Sequence, residues 1–257
     1  MEEKLIRLKR FNLIMGFVHL TQAIAMLFLA STVIQKIAEF QPQIVQYFQT
    51  FNVATRSLET ASKELFQLPF GVLVASFLFI SAFAHFTIVM NSRKYFDGLA
   101  KGINVFRWYE YALSSSIMIV LISTLFGIYD IATLLLIFVT NAAMNIFGLV
   151  MEEANMGKVK TDWKPFIWGC VTGGTPWIVI LLYMLGTGNF DMVPWFVWAI
   201  VGTYFVAFNS FPINMILQYK KIGKWKDYLY GERVYIVLSL VAKSFLAWLV
   251  LFGAMQP

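Results

Sequence analysis

Charged side chains are scarce in this chain. Asp, Glu, Lys and Arg make up 13% of its 257 residues, against about 25% in a soluble globular domain. Cysteine is rarer still: the single Cys170 sits in an apolar stretch. No intrachain disulfide is possible, and cysteine usage says nothing about redox compartment. Histidine occurs twice, at His19 and His85, and the two are not at metal-ligand spacing within one helix. No catalytic constellation can be assembled from these residues, so the chain does not read as an enzyme. Nor is there a linker, a low-complexity tract or a sign of a second domain, and residues 1–257 read as one domain. Apolar residues are abundant: 59% of the chain is hydrophobic and the mean hydropathy is +0.70. That combination places the chain among membrane proteins.

Crossing a bilayer takes about 20 mostly apolar residues. Seven stretches qualify, at roughly 11–34, 68–90, 108–128, 131–151, 166–186, 193–217 and 234–252. Each is expected to be a helix, because lipid offers backbone groups no water. The sequence therefore predicts an all-α, seven-helix transmembrane bundle, a multi-pass protein of the cell membrane surrounded by lipid. The opening MEEKLIRLKR precedes an apolar run longer than a signal-peptide h-region, with no small-residue cleavage site after it. It reads as the start of a retained first helix. Three connections are short. The exception is 35–67, where QIVQYFQTF (43–51) partly alternates as a half-buried strand does. A loop of that length is usually structured or functional.

Basic residues set the orientation. One side of the membrane receives Lys4, Arg7, Lys9 and Arg10, then Arg93, Lys94, Lys101 and Arg107 between spans two and three. It also receives Lys158, Lys160 and Lys164 between spans four and five, and Lys220, Lys221, Lys224, Lys226 and Arg233 between spans six and seven. The other side has only Lys36, Arg56 and Lys63, all in the long first loop. Cytoplasmic loops carry the excess of Lys and Arg. The expectation is a cytoplasmic N-terminus, an extracellular C-terminus and a long, structured first extracellular loop. The net charge of +6 then reflects loops facing anionic lipid heads, not binding to nucleic acid.

Inside the spans almost nothing titrates. Glu110 lies in the third, Lys243 in the seventh, His19 in the first and His85 in the second. An intramembrane charge is costly and marks a functional site by default, although a Glu–Lys pair can also simply hold two helices together. From the helical rise, Lys243 lies about 14 Å below the cytoplasmic boundary, Glu110 about 5–10 Å, His19 about 12 Å and His85 about 9 Å. Side chains lean toward the helix N-terminus, so the lysine reaches toward the glutamate, and four polar residues from four helices share one layer. Ser239 and Lys243 are four apart and face the same way, as do Glu110 and Ser114. Arg107 sits on the Glu110 face nearer the cytoplasm. Trp177 beside Pro176, Phe208 and Trp248 offer planes for an elongated apolar ligand, although any one aromatic is more often ordinary packing.

Seven spans with one lysine midway along the last resemble the microbial rhodopsins. The blocks INVFRWYEYALSSSIMIVLI (103–122), FNSF (208–211) and GERVYIVLSLVAKSFLAW (231–248), with HLTQ (19–22) and the FAHF around His85, are similar to the heliorhodopsins. The cytoplasmic N-terminus matches that family and is opposite to ordinary microbial rhodopsins. The resemblance implies retinal, all-trans in the dark, bound as a protonated Schiff base on Lys243, with Glu110 as its single counterion and Ser239 where ordinary microbial rhodopsins have an aspartate. It also implies that His19, His85, Gln22 and Arg107 belong to a polar cavity on the cytoplasmic side of that nitrogen. Met144, Trp177, Phe208, Met215 and Trp248 would line the chromophore, with Asn141 and Ser114 nearby. Met215 stands where some family members have Gln. The family is generally dimeric through its fourth and fifth helices and the long first loop. Gly169-x-x-x-Gly173 permits close helix approach.

The resulting expectation is a photoreceptor that signals to a downstream partner without pumping ions. The alternative is a light-driven proton pump or a light-gated channel, and a third reading is a transporter gated by the Glu–Lys pair. A pump needs carboxylates on both sides of the Schiff base. Eleven residues beyond Glu110 is Leu121, and no other carboxylate lies inside spans two to seven as drawn above.

Overall fold

The long apolar runs fold as helices that satisfy their own backbone bonds. The computed structural model describes residues 2–33, 41–186 and 193–254. Helix α1 (Glu2–Phe28) ends in a π-helical turn, Leu29–Val33. Strands β1 (Gln43–Asn52) and β2 (Ser57–Gln67) follow, then α2 (Phe70–Met90), α3 (Ser92–Ala100), α4 (Val105–Leu125), α5 (Ile131–Ala154), α6 (Lys164–Gly186), α7 (Trp195–Tyr219) and α8 (Tyr228–Ala254). Among the described residues, six helices are long and apolar enough to cross a membrane: α1, α2, α4, α5, α6 and α7. Helix α8, 27 residues long, packs beside α7 and α1.

The bundle buries a set of polar side chains within an apolar interior and presents apolar side chains outside. Asn12, His19, Ser114 and Asn141 are wholly buried, whereas Phe83 is 73% exposed and Val206 70%. Water would penalise such a surface; hydrocarbon does not. The main apolar core joins α2 to α4 through Phe77, Leu78, Ile119 and Ile122, with Ile180 of α6 and Ile200 of α7 closing it.

Helix ends follow from short polar residues. Asn104 caps α4 by accepting from the Arg107 N–H at 3.2 Å. Asp130 caps α5, accepting from the backbone N–H and hydroxyl of Thr133, both at 2.8 Å. Slight burial opposes ionisation there, but these bonds prevail and hold the Asp130 carboxyl below its ordinary range. Between them Gly127 turns the chain at φ +78, a conformation that glycine adopts without a Cβ penalty.

Several expectations are corrected. The chain is not all-α: β1 and β2 form an antiparallel hairpin, paired from Gln43↔Gln67 to Asn52↔Ser57. Residues 43–51 are a strand as the alternation suggests, but mostly exposed, with only Ile44 fully buried. The hairpin is tied down at its base, where Val45 N–H donates to the Tyr129 carbonyl at 3.0 Å. Helix α1 starts at Glu2 and α8 at Tyr228, several residues before their apolar runs, because polar residues extend a helix that is already nucleated. An additional helix, α3, occupies the connection between spans two and three and buries Tyr95 and Leu99. Arg107, counted above among the loop charges, is a buried residue of α4. Lys36 of the first loop lies outside the described residues.

Candidate functional site

Glu110 and Lys243 meet between α4 and α8. Lys243 Nζ donates to Glu110 Oε1 at 2.5 Å and to Ser239 Oγ, one turn back on its own helix, at 2.9 Å. Ser81 of α2 donates to the same Glu110 oxygen at 2.7 Å. The ammonium also lies 5.2 Å from the centre of the Tyr111 ring. Both charged side chains are buried. A buried pair of this kind adds little net stability, yet removing one partner strands a charge at a cost of about 3–5 kcal/mol. The reach of Lys243 toward Glu110 and the i, i+4 relation of Ser239 to Lys243 are both present in three dimensions.

Beside this pair lies an apolar cavity of about 270 Å³, near the lower end of the ~300–1,000 Å³ usual for small-ligand sites. Lys243 and Ser239 are among the polar residues of its wall. Met144, Trp177, Phe208 and Met215 line it as expected, and so does Ser114. The Trp177 and Phe208 rings stand edge to face, 5.7 Å apart. Gly173 shapes the wall from α6: a Cβ there would come within 2.3 Å of Met144 Sδ. The lining suits an apolar molecule with one group that reacts at the lysine. A lysine amine beside it is the group that condenses with an aldehyde.

Trp108, Tyr111, Phe211 and Tyr235 also line the cavity and were missed by the sequence reading. Tyr111 meets Phe211 edge to face at 5.3 Å. Helical spacing offered a signal for two of them, since Tyr235 is four before Ser239 and Phe211 three after Phe208, but aromatics are too common here for it to stand out.

A second, smaller and more polar cavity of about 30 Å³ opens on the other side of Glu110. Asn12, Ser81, His85, Arg107, Glu110 and Ser239 contribute to its wall. The His85 Nδ1 sits 2.8 Å from Asn12 Oδ1, while Asn12 Nδ2 donates to the Leu8 carbonyl at 2.9 Å. Because the amide oxygen can only accept, His85 carries its proton on Nδ1. His19 stacks on His85 with ring centres 5.5 Å apart. It is not on the cavity wall, and among the described residues neither of its nitrogens has a hydrogen-bond partner.

Besides His19, three sequence-derived residues, Asn141, Trp248 and Gln22, stand apart from both cavities. Asn141 donates instead to Ser115 Oγ at 2.8 Å and Ser116 Oγ at 3.0 Å, while Asn145, one turn on, lines the apolar cavity. Trp248 packs against the main core, and its indole N–H donates to Gln22 Oε1 at 3.3 Å.

Two carboxylates were missed altogether. Glu152 of α5 and Glu232 of α8 are buried and flank the Arg107 guanidinium, which ion-pairs with both. Glu152 also accepts from the Asn104 N–H at 2.9 Å, Trp108 Nε1 at 2.7 Å and the Tyr228 hydroxyl at 3.3 Å. Glu232 accepts from Asn104 Nδ2 at 2.5 Å and the Tyr95 hydroxyl at 3.2 Å. Burial, reinforced by the Glu232 charge, pushes the Tyr95 hydroxyl on α3 above its ordinary range. No carboxylate besides Glu110 lies inside spans two to seven as drawn from hydropathy, but helices α5 and α8 run past those bounds and bring Glu152 and Glu232 into the interior. Both residues sit just beyond the apolar runs, where helix and burial continue although hydropathy falls.

A family model described as Heliorhodopsin matches residues 8–255, nearly the whole chain. No curated protein matches it.

Proposed function

The chain belongs to the heliorhodopsin family, and on that premise we propose that it is a seven-helix light sensor that holds retinal on Lys243, keeps Glu110 as the counterion and signals without transporting ions. Family membership makes it a membrane-embedded retinal protein of the photoreceptor type. The observation that carries the finer reading is the buried Lys243–Glu110 pair, whose lysine lines an apolar cavity. Retinal bound there supplies visible absorption and a light-driven isomerisation. Lys243 Nζ would hold it, Trp177 and Phe208 would confine its chain, and Glu110 would balance the positive charge on the nitrogen. Burial disfavours a lone cation, and a carboxylate in contact restores it.

The absence of transport is supported by where the carboxylates lie. Glu110, Glu152 and Glu232 all sit toward the ends of α4, α5 and α8 that meet α3. On the opposite side of Lys243, the described parts of the spanning helices hold no carboxylate, and Leu121 is buried there. A proton relay through the membrane would need acids on both sides. We further propose the cytoplasmic-N orientation, the family's all-trans dark state and a homodimer through α5, α6 and the hairpin. The hairpin's exposed Tyr47, Phe51 and Leu58 are consistent with a partner there. The test is to express the chain with all-trans retinal. A visible colour in the wild type that is lost in Lys243→Ala, with the variant still inserted in the membrane, is the expected result. Colour retained in the variant overturns the covalent assignment.

A further inference from the structure

Glu232 has no role in the retinal reading. It shares one stripe of α8 with Ile236, Ser239 and Lys243, and it faces the small polar cavity that Glu110 also lines. We propose that Glu232 is a second proton-holding residue of the site: a proton leaving Lys243 Nζ is kept on Glu232, across the cavity from Glu110, instead of being released to either face of the membrane. The inference rests on the retinal reading and adds a residue to it.

The cavity supplies the route. Ser81, His85, Glu110 and Ser239 form one part of its wall, and Asn104, Arg107 and Glu232 another. Its volume of about 30 Å³ has room for about two waters at ~10–15 Å³ each. Hydroxyl, imidazole and carboxylate groups on the wall can orient them.

Charge balance supplies the reason for the proton to stay. Among the described residues, the buried cations are Lys243 and Arg107, and the carboxylates around them are Glu110, Glu152 and Glu232. With neutral histidines the group carries one negative charge in excess. The excess lies at Arg107, where one guanidinium serves two carboxylates. A proton on Glu232 relieves their mutual repulsion and leaves a one-to-one Arg107–Glu152 pair.

Position selects Glu232 over Glu152. Each carboxylate meets N–H donors, which cannot accept, and one hydroxyl, Tyr228 at Glu152 and Tyr95 at Glu232, which can turn and accept from a protonated carboxyl. Of the two, only Glu232 reaches the cavity wall. His85 lines the cavity but would become a buried cation on protonation. In the step itself the N–H bond at Lys243 Nζ breaks with its electron pair left on nitrogen, and an O–H bond forms on Glu232. Nothing is oxidised or reduced.

Light-minus-dark infrared spectra of the pigment test this. A carboxylic C=O band should arise on illumination in the wild type, vanish in Glu232→Gln and shift in Glu232→Asp. In retinal-free protein, a carboxylic C=O band that develops on acidification should be lost in Glu232→Gln and shifted in Glu232→Asp. That arm needs no pigment. If the wild type never takes up colour the retinal reading fails, while the retinal-free titration still decides whether Glu232 binds a proton. A light-induced band that ignores both Glu232 variants but shifts in Glu110→Asp places the proton on Glu110 and overturns the proposal. So does a spectrum with no carboxylic band, or a retinal-free titration identical in wild type and both variants.

Discussion

Arg107 and Glu110 stand one turn apart on α4, yet the guanidinium turns away from Glu110 to Glu152 and Glu232. Glu110 is left to Lys243, with Ser81 and Ser239 as the neutral members of that group. The two ion clusters are neighbours across a cavity, and each has its own cation.

Glu110→Gln should give a pigment that absorbs largely in the near ultraviolet at neutral pH. The variant leaves a buried cation with no carboxylate in contact, and an opposite charge within ~4–6 Å is worth about 1–3 pKa units to its partner. Chloride held by Arg107 is not expected to compensate, because that guanidinium is committed to Glu152 and Glu232. Absorption spectra in chloride and in a large impermeant anion check both points. A wild-type spectrum in both media would remove Glu110 as counterion.

Arg107→Met should destabilise the protein strongly. Two buried carboxylates would face each other without a cation, and breaking a buried ion network by removing one partner costs about 3–5 kcal/mol. Thermal denaturation in detergent should show a large fall in Tm. Adding Glu232→Gln to Arg107→Met should recover part of it, and no recovery would argue against like-charge repulsion as the cause.

Gly173→Val should reduce pigment yield. Even a Cβ at this position falls 2.3 Å from Met144 Sδ, so the larger side chain drives Met144 into the cavity. Since the obstruction is the end of a flexible side chain, Gly173→Val combined with Met144→Ala should regain colour. Equal loss in the single and double variants would point to a backbone effect.

Illuminated cells in weakly buffered medium should show no sustained pH change sensitive to a protonophore. The expectation follows from the placement of Glu110, Glu152 and Glu232 on one side of Lys243. A robust protonophore-sensitive signal would favour the pump.

A tag after Pro257 should be reached by antibody on intact cells, and a tag at Met1 should not. The imbalance of Lys and Arg between the two sets of loops motivates this. The reverse labelling would refute the proposed orientation.

Hydropathy and spacing determined a good deal here. The apolar runs sufficed for the membrane class and for the existence of the long helices, because lipid leaves the backbone few alternatives. Lys243, Glu110 and Ser239 were legible because a charge inside an apolar run is conspicuous and i, i+4 residues share a face. The tertiary structure decided what lies just outside those runs. Glu152, Glu232 and Arg107 look like interfacial charges in sequence, since hydropathy falls around them. They are buried because α3, α4, α5 and α8 converge there and supply each other's hydrogen-bond donors. The same holds for the wall of the apolar cavity. Asn145 rather than Asn141, and Tyr111 rather than Trp248, face it because helix rotation within the bundle is set by packing against neighbours, which no single helix encodes. The hairpin is the remaining case: alternation found β1, but its exposure depends on what the bundle beneath it leaves uncovered.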